Sequence, residues 1–262
     1  MPLLPRYFLR VTYRGTRYHG WQVQPKSVTV QGVLEDRLSR LLQQDIRVFG
    51  AGRTDSGVHA SEFYAHMTLP GPLADIPGLL FRLNNFLPKD IGVTACFRVT
   101  GRANARFDAI LREYKYYLMQ QKDPFWTETA LFHPHALDWQ AMQQAAGHLL
   151  RYTDFTSFAA AGGNVRTNIC YIQRADWQQE GSRFVFTIQA NRFLRKMVRG
   201  IVGTLLEVGR GKISPEGFGQ IIAGQNRSFA GPSAAPQGLF LTRIVYPRDI
   251  LYPGLQAVTY SE

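Results

Sequence analysis

The chain has 262 residues, 45% hydrophobic and 19% charged, a balance that excludes a disordered polymer and allows one large core or two ordinary domains. Thirty Lys and Arg stand against nineteen Asp and Glu, a formal charge of +11, so the surface should suit phosphate-rich partners, RNA or DNA first. Cys96 and Cys170 lie outside any CxxC pattern and read as buried thiols, and no early apolar run is long enough for a signal peptide or membrane span, so the expected localisation is cytoplasmic.

Tyr7, Leu9, Val11 and Tyr13 alternate with Phe8, Arg10 and Thr12, the period of a half-buried strand, and Val30, Leu34, Leu38 and Leu41 then recur at helical spacing. Next come a strand at 47–49, a polar loop, a strand at 63–69, a helix over 76–86 and a strand at 93–99, in the order βαββαβ. From Leu111 the order repeats: strand 114–119, helix 139–150, strands 171–177 and 184–190, helix 193–208, strand 239–246. Each half reads as a ferredoxin-like split βαβ unit with both helices on one sheet face. The expected fold is therefore α+β, with ferredoxin-like halves at 1–108 and 109–262 sharing a largely antiparallel sheet and a central basic cleft. Residues 101–108 form the link, and 209–211 and 228–238 are loops.

The loop at 50–60 reads Gly-Ala-Gly-Arg-Thr-Asp-Ser-Gly-Val-His-Ala. Gly, Asp, Ser and Thr are also ordinary turn residues, so a plain hairpin connection is the competing reading. A hairpin needs about two to five residues, whereas this loop spends roughly ten, with three glycines that permit positive φ and close approach to a ligand. Asp55 is the candidate reacting carboxylate and Arg53 the cation beside it.

Arg192, Arg195, Lys196 and Arg199 are spaced i, i+3, i+4 and i+7, so a helix there would align four cations on one stripe, next to an apolar stripe of Phe193, Met197, Ile201 and Leu205. Phosphates, or Asp55, would offset their mutual repulsion. Gly200 and Gly203 each cost a helix about 1 kcal/mol relative to Ala and point to close backbone packing around Arg199. Alternation sends Tyr114 and Tyr116 to one strand face, a candidate stacking platform for bases, with core packing as the competing reading. GxxxxGK[ST], GxGxxG and GxSxG motifs are all missing, and His133 and His135 read as loop or surface histidines with no metal expected.

Three stretches carry a resemblance: Gly-Arg-Thr-Asp-Ser-Gly-Val-His-Ala at 52–60, Arg-Glu-Tyr-Lys-Tyr-Tyr at 112–117, and Asn-Arg-Phe-Leu-Arg-Lys-Met-Val-Arg-Gly at 191–200. Together they resemble the tRNA pseudouridine synthase A (TruA) family. Supporting pieces run nearly end to end, from Tyr13-Arg-Gly-Thr and Gly20-Trp-Gln-Val-Gln through Ala105-Arg-Phe-Asp to Ala235-Pro-Gln-Gly-Leu. The resemblance implies a two-lobed homodimer that isomerises uridines at positions 38 to 40 of the tRNA anticodon stem-loop without a cofactor. Asp55 then aligns with the nucleophile and Tyr114 with the tyrosine lying against the target base. Arg53 corresponds to the arginine that enters the space left by the flipped base, and Arg199 to the partner of the catalytic aspartate. Arg192, Arg195 and Lys196 are expected phosphate contacts. Ser56 departs from the alanine common in bacterial members but keeps a small residue there.

The chemistry suits these residue types. Breaking N1–C1′ leaves positive character on the sugar, which a carboxylate can stabilise or trap as in glycosidases. The base must leave its stack, and an aromatic wall can hold it while it turns. The residues leave open attack at C1′, attack on the base, and a glycal route in which Tyr114 or Asp55 takes a sugar proton. An RNA-binding protein without chemistry and a magnesium-dependent aspartyl phosphatase are the alternatives; the motif triplet disfavours the first and the missing DxDx[TV] pattern the second.

Overall fold

A computed structural model describes residues 4–160, 167–250 and the strand at 258–259. The chain is of mixed α and β type with mostly antiparallel, open sheet, and it divides into two compact units, Met1–Ile110 with Leu241–Glu262, and Leu111–Phe240.

In the first unit β1 (Arg6–Tyr13), α1 (Val30–Leu42), β2 (Phe49–Gly50), β3 (His59–Thr68), α2 (Ile76–Phe86) and β4 (Ile91–Val99) follow in the expected order. β1 lies between β3 and β4, antiparallel to both, and β2 pairs with β3, which gives the order β4-β1-β3-β2. α1 starts where Thr29 accepts the Gly32 N–H, and α2 where Asp75 accepts that of Gly78 just before Pro77. The side chain of Asn84 fastens α2 to β4 by bonding both the N–H and the carbonyl of Val93 at 2.8 Å.

The strand expected at 47–49 shrinks to two residues. Val48 gives its N–H to Glu35 and its carbonyl accepts from Gln31, both on α1, so side chains stand where a ladder would be. At the other end of the loop β3 begins at His59, earlier than expected. His59 is fully buried and belongs to the strand, not the loop.

The second unit contains β5 (Leu111–Met119), β6 (Leu131–Phe132), α3 (Trp139–His148), β7 (Ile172–Glu180), β8 (Arg183–Ala190), α4 (Met197–Gly209) and α5 (Pro215–Ala223). β8 runs antiparallel between β5 and β7, and β6 runs parallel to β5. α5 was not expected: Gly217 and Gly219 hide it, yet Ser214 caps it, Pro215 opens it and Glu216 sits in its first turn. The chain then enters β9 (Leu239–Val245), which from Leu241 belongs to the first unit and sits beside β3, and β10 (Val258–Thr259), which pairs with β4. Among the described residues no helix is long and apolar enough to cross a membrane.

The helix expected at 193–208 begins only at Met197. Lys196 holds φ at +62°, a left-handed conformation that an α-helix cannot run through. All of α4 except Arg199 and Glu207 is buried. The four-cation stripe is therefore corrected: Arg192, Arg195 and Lys196 precede the helix, and only Arg199 lies on it.

Candidate active site

Asp55 occupies the loop between β2 and β3, and each neighbouring residue has its own tether. The buried hydroxyls of Tyr13 and Thr54 are 2.9 Å apart, which ties the residue before Asp55 to the end of β1. The Thr54 carbonyl accepts the Trp21 N–H at 3.3 Å. After Asp55, the Ser56 hydroxyl and the Gly57 N–H both reach the Tyr18 carbonyl, and Val58 N–H closes a turn on the Asp55 carbonyl.

Two glycines make this cradle possible. A Cβ on Gly15 would stand 2.0 Å from the Val58 carbonyl oxygen; a Cβ on Gly20, where φ is +81°, would stand 2.3 Å from that of Thr54. Gly15 also donates its N–H to Nδ1 of His59 at 3.0 Å. Of the loop's own glycines, Gly57 has a positive φ of +77°, Gly50 admits the Trp21 indole, and Gly52 has open space around it. Asp55 is left partly exposed and Arg53 exposed on a backbone with little freedom.

The segment between β1 and α1 was missed as a functional element, although Gly15 and Gly20 were its visible signal. It has its own anchor in Asp90. That carboxylate accepts the Tyr18 hydroxyl at 2.6 Å and Arg17 at 2.8 Å. Burial pushes Asp90 up, but those two bonds and the Arg17 charge outweigh it and hold the group below the ordinary carboxylate range.

In the second unit Tyr114 stands on β5 opposite Ile188, partly exposed, with its ring edge-to-face on Phe193 at 5.1 Å and 89°. Tyr116 shares its strand face but is a core residue, fully buried under Gly238, with its hydroxyl on the Ala235 carbonyl at 2.9 Å. A two-tyrosine platform is therefore reduced to Tyr114. Arg199 is clamped at backbone and side chain: its Nε donates to the Ala234 carbonyl at 2.7 Å, and its own carbonyl accepts the Ala234 N–H at 2.8 Å. The close packing expected around it is found at Gly203, where a Cβ would lie 1.7 Å from the Pro232 carbonyl oxygen. Arg195 and Lys196 are exposed and Arg192 partly so.

His133 lies in a loop, as expected, but not at the surface. It is 5% exposed, its Nδ1 bonds the His135 carbonyl at 3.1 Å and its Nε2 takes Arg210 at 2.9 Å. Burial lowers its pKa, so it is a neutral structural histidine; His135 is exposed. Among the described residues no three His, Cys, Asp or Glu side chains converge where a metal ion could be held.

The family model described as tRNA pseudouridine synthase matches residues 145–247. The chain is 50% identical over 246 residues to tRNA pseudouridine synthase A of Bacteroides fragilis, covering 94% of this chain and 98% of that one. Identity to the Porphyromonas gingivalis protein of the same name is 48% over 250 residues, 94% and 99% of the two chains. For that of Bacillus pumilus it is 38% over 242 residues, 90% and 97%.

Proposed function

The chain belongs to the tRNA pseudouridine synthase A family and isomerises uridine to pseudouridine in tRNA, and from that premise we propose that Asp55 is the nucleophile of the reaction. The observation that carries this reading is the cradle: a partly exposed carboxylate whose flanking residues are each tied to β1 or to the turn that follows it. A group that must meet C1′ or the base in one geometry needs that immobility, because about 7–11 kcal/mol of a barrier can come from orientation already fixed before reaction.

The reaction breaks N1–C1′, turns the uracil, joins C5 to C1′, releases the proton from C5 and takes up a proton at N1. The electron pair of the broken bond stays on the uracil and later forms the new bond, so no oxidant, reductant or cofactor is consumed. In the proposal Asp55 meets the electron-poor sugar or the base, Tyr114 lies against the ring, and Arg53 fills the space the base leaves. Arg199 holds Asp55 in direction, and Arg192, Arg195 and Lys196 meet phosphates. The Phe193 edge on Tyr114 and the Ala234 clamp on Arg199 support these roles by fixing both side chains.

The finer substrate assignment, uridines at positions 38 to 40 of the anticodon stem-loop, belongs to the same proposal, as do the homodimer and the basic cleft. Ferredoxin-like halves joined through 101–108 are proposed likewise. The order β4-β1-β3-β2 with α1 and α2 packed together supports that reading for the first half.

The test is tritium release from tRNA carrying 5-tritiated uridine, since C5 loses its hydrogen only on becoming the glycosidic carbon. Asp55→Asn should abolish release while tRNA still binds. Equal release from Asp55→Asn and the parent removes Asp55 from the chemistry.

A further inference from the structure

We propose that the first unit carries a second nucleotide site, which takes one unstacked nucleotide of the tRNA other than the uridine being isomerised. The inference rests on the reading of Asp55 as the reacting group. A cavity of about 190 Å³ opens beside Arg53, walled by Trp21, Phe49, Arg106 and Phe107, and Asp55 is not among its lining residues. It is smaller than the roughly 300–1,000 Å³ of sites for drug-sized ligands, so it suits a single base.

Phe49 and Phe107 are 62% and 76% exposed, an unusual expense for two large aromatics in one concavity. His66 backs Phe49 directly and holds the turn of Phe107 through Ala105. The Phe49 ring stacks on the buried imidazole at 5.2 Å and 21°, leaving its other face outward. At the edge of the imidazole, Nδ1 accepts the Ala105 N–H at 3.1 Å.

That second bond anchors the turn that presents Arg106 and Phe107. Asn104 caps the turn by accepting the N–H groups of both residues at 2.9 and 3.2 Å, Asp108 accepts the Asn104 N–H, and the Tyr246 hydroxyl holds the Ala105 carbonyl at 2.6 Å. The facing wall is equally stiff. The Gln31 amide donates to Glu35 and to the Val48 carbonyl and accepts the Val23 N–H, so it shapes the site and is already committed.

Exposed rings on rigid supports, with Arg106 at the opening for a phosphate, Arg53 at the rim toward the vacated stack, and no carboxylate in the lining, match a π-faced ligand carrying a phosphate. A base tethered in a bound RNA suits so small a site better than a free nucleotide, because the rest of the chain has already met most of the association cost. Arg53 lies two residues from Asp55, which places the second nucleotide near the target.

The experiment measures tRNA affinity in the Asp55→Asn chain, with and without Phe107→Ala, Phe107→Trp as rescue, and an abasic substitution walked along the nucleotides flanking the target. Expected are about a 10-fold loss of affinity in Phe107→Ala, retention in Phe107→Trp, and one abasic position whose loss disappears in Phe107→Ala. Unchanged affinity in Phe107→Ala, or abasic losses that persist in full at every position, overturns the site. Tritium release is followed in the Asp55-intact chain and in Asp55→Asn: full release from Asp55→Asn overturns the Asp55 reading, and the affinity comparison, repeated with Asp55 intact, then decides the second site separately.

Discussion

The hydroxyls of Tyr13 and Thr54 lie 2.9 Å apart in a buried setting, so the last residue of β1 holds the residue that immediately precedes Asp55. Thr54→Val keeps the shape and deletes the bond, at a stability cost of about 1 kcal/mol. The expected effect on tritium release is larger, at least about 10-fold, because displacement of a reacting group by about an ångström can cost 100-fold. Affinity for tRNA should hold. Release at the parental rate would show that the tether does not position Asp55.

Gly200 and Gly203 sit three residues apart on α4 and should respond to alanine with opposite signs. A Cβ at Gly203 would lie 1.7 Å from a backbone oxygen that cannot yield alone, so Gly203→Ala must move the Pro232–Ala234 strap holding Arg199. Overpacking of this kind costs about 1–3 kcal/mol. At Gly200 the nearest atom is Phe158 Cδ1 at 3.4 Å, ordinary contact, and alanine should gain about 0.4–1 kcal/mol. Urea midpoints check both, and a drop in tritium release with Gly203→Ala alone ties the strap to activity.

How far these elements could be read in the sequence follows their range. α2 was legible to the residue because Asp75, Pro77 and its apolar spacing are local signals. The start of α4 was not, because Arg192, Arg195, Lys196 and Arg199 fit a helical period while the turn at Lys196 depends on a positive φ that a lysine does not advertise. α5 was lost to its glycines. At the site, the Gly-Arg-Thr-Asp run marked Asp55 directly, whereas the cradle joins residues about 40 positions apart in sequence and leaves no periodic trace.

The correction at Lys196 changes what Arg195 and Lys196 can do, since both now project from an exposed turn instead of a helix face. If each meets one phosphate, Arg195→Ala should weaken tRNA binding and lower the slope of log K against log salt by about 0.9. A slope equal to that of the parent removes Arg195 from the contact set.

Cys96 and Cys170 are free and buried, and burial pushes their thiols to about 12 and about 11. A thiol so seldom ionised is a poor nucleophile. Iodoacetamide at pH 8 should leave both unmodified in the native chain and label both in urea, as read by mass spectrometry. Native labelling of either would contradict its burial.

His66 supplies the pH dependence. Burial, then the Arg6 charge, lowers its pKa to about 4, against a partial pull upward from Asp108. A base whose folded pKa lies below its ordinary value near 6.5 takes its proton more readily when unfolded, so acid favours the unfolded chain. Its effect is absent above pH 6.5, grows as pH falls, and levels off below the folded value near 4, a total on the order of 3 kcal/mol. Protonation would also compete with the Ala105 N–H for Nδ1, loosening the turn that carries Phe107. Urea midpoints measured from pH 7 to pH 5 should fall in the parent and fall less in His66→Gln, with tRNA affinity of the parent declining over the same interval. Parallel curves for the two chains would mean that His66 is not the group responsible.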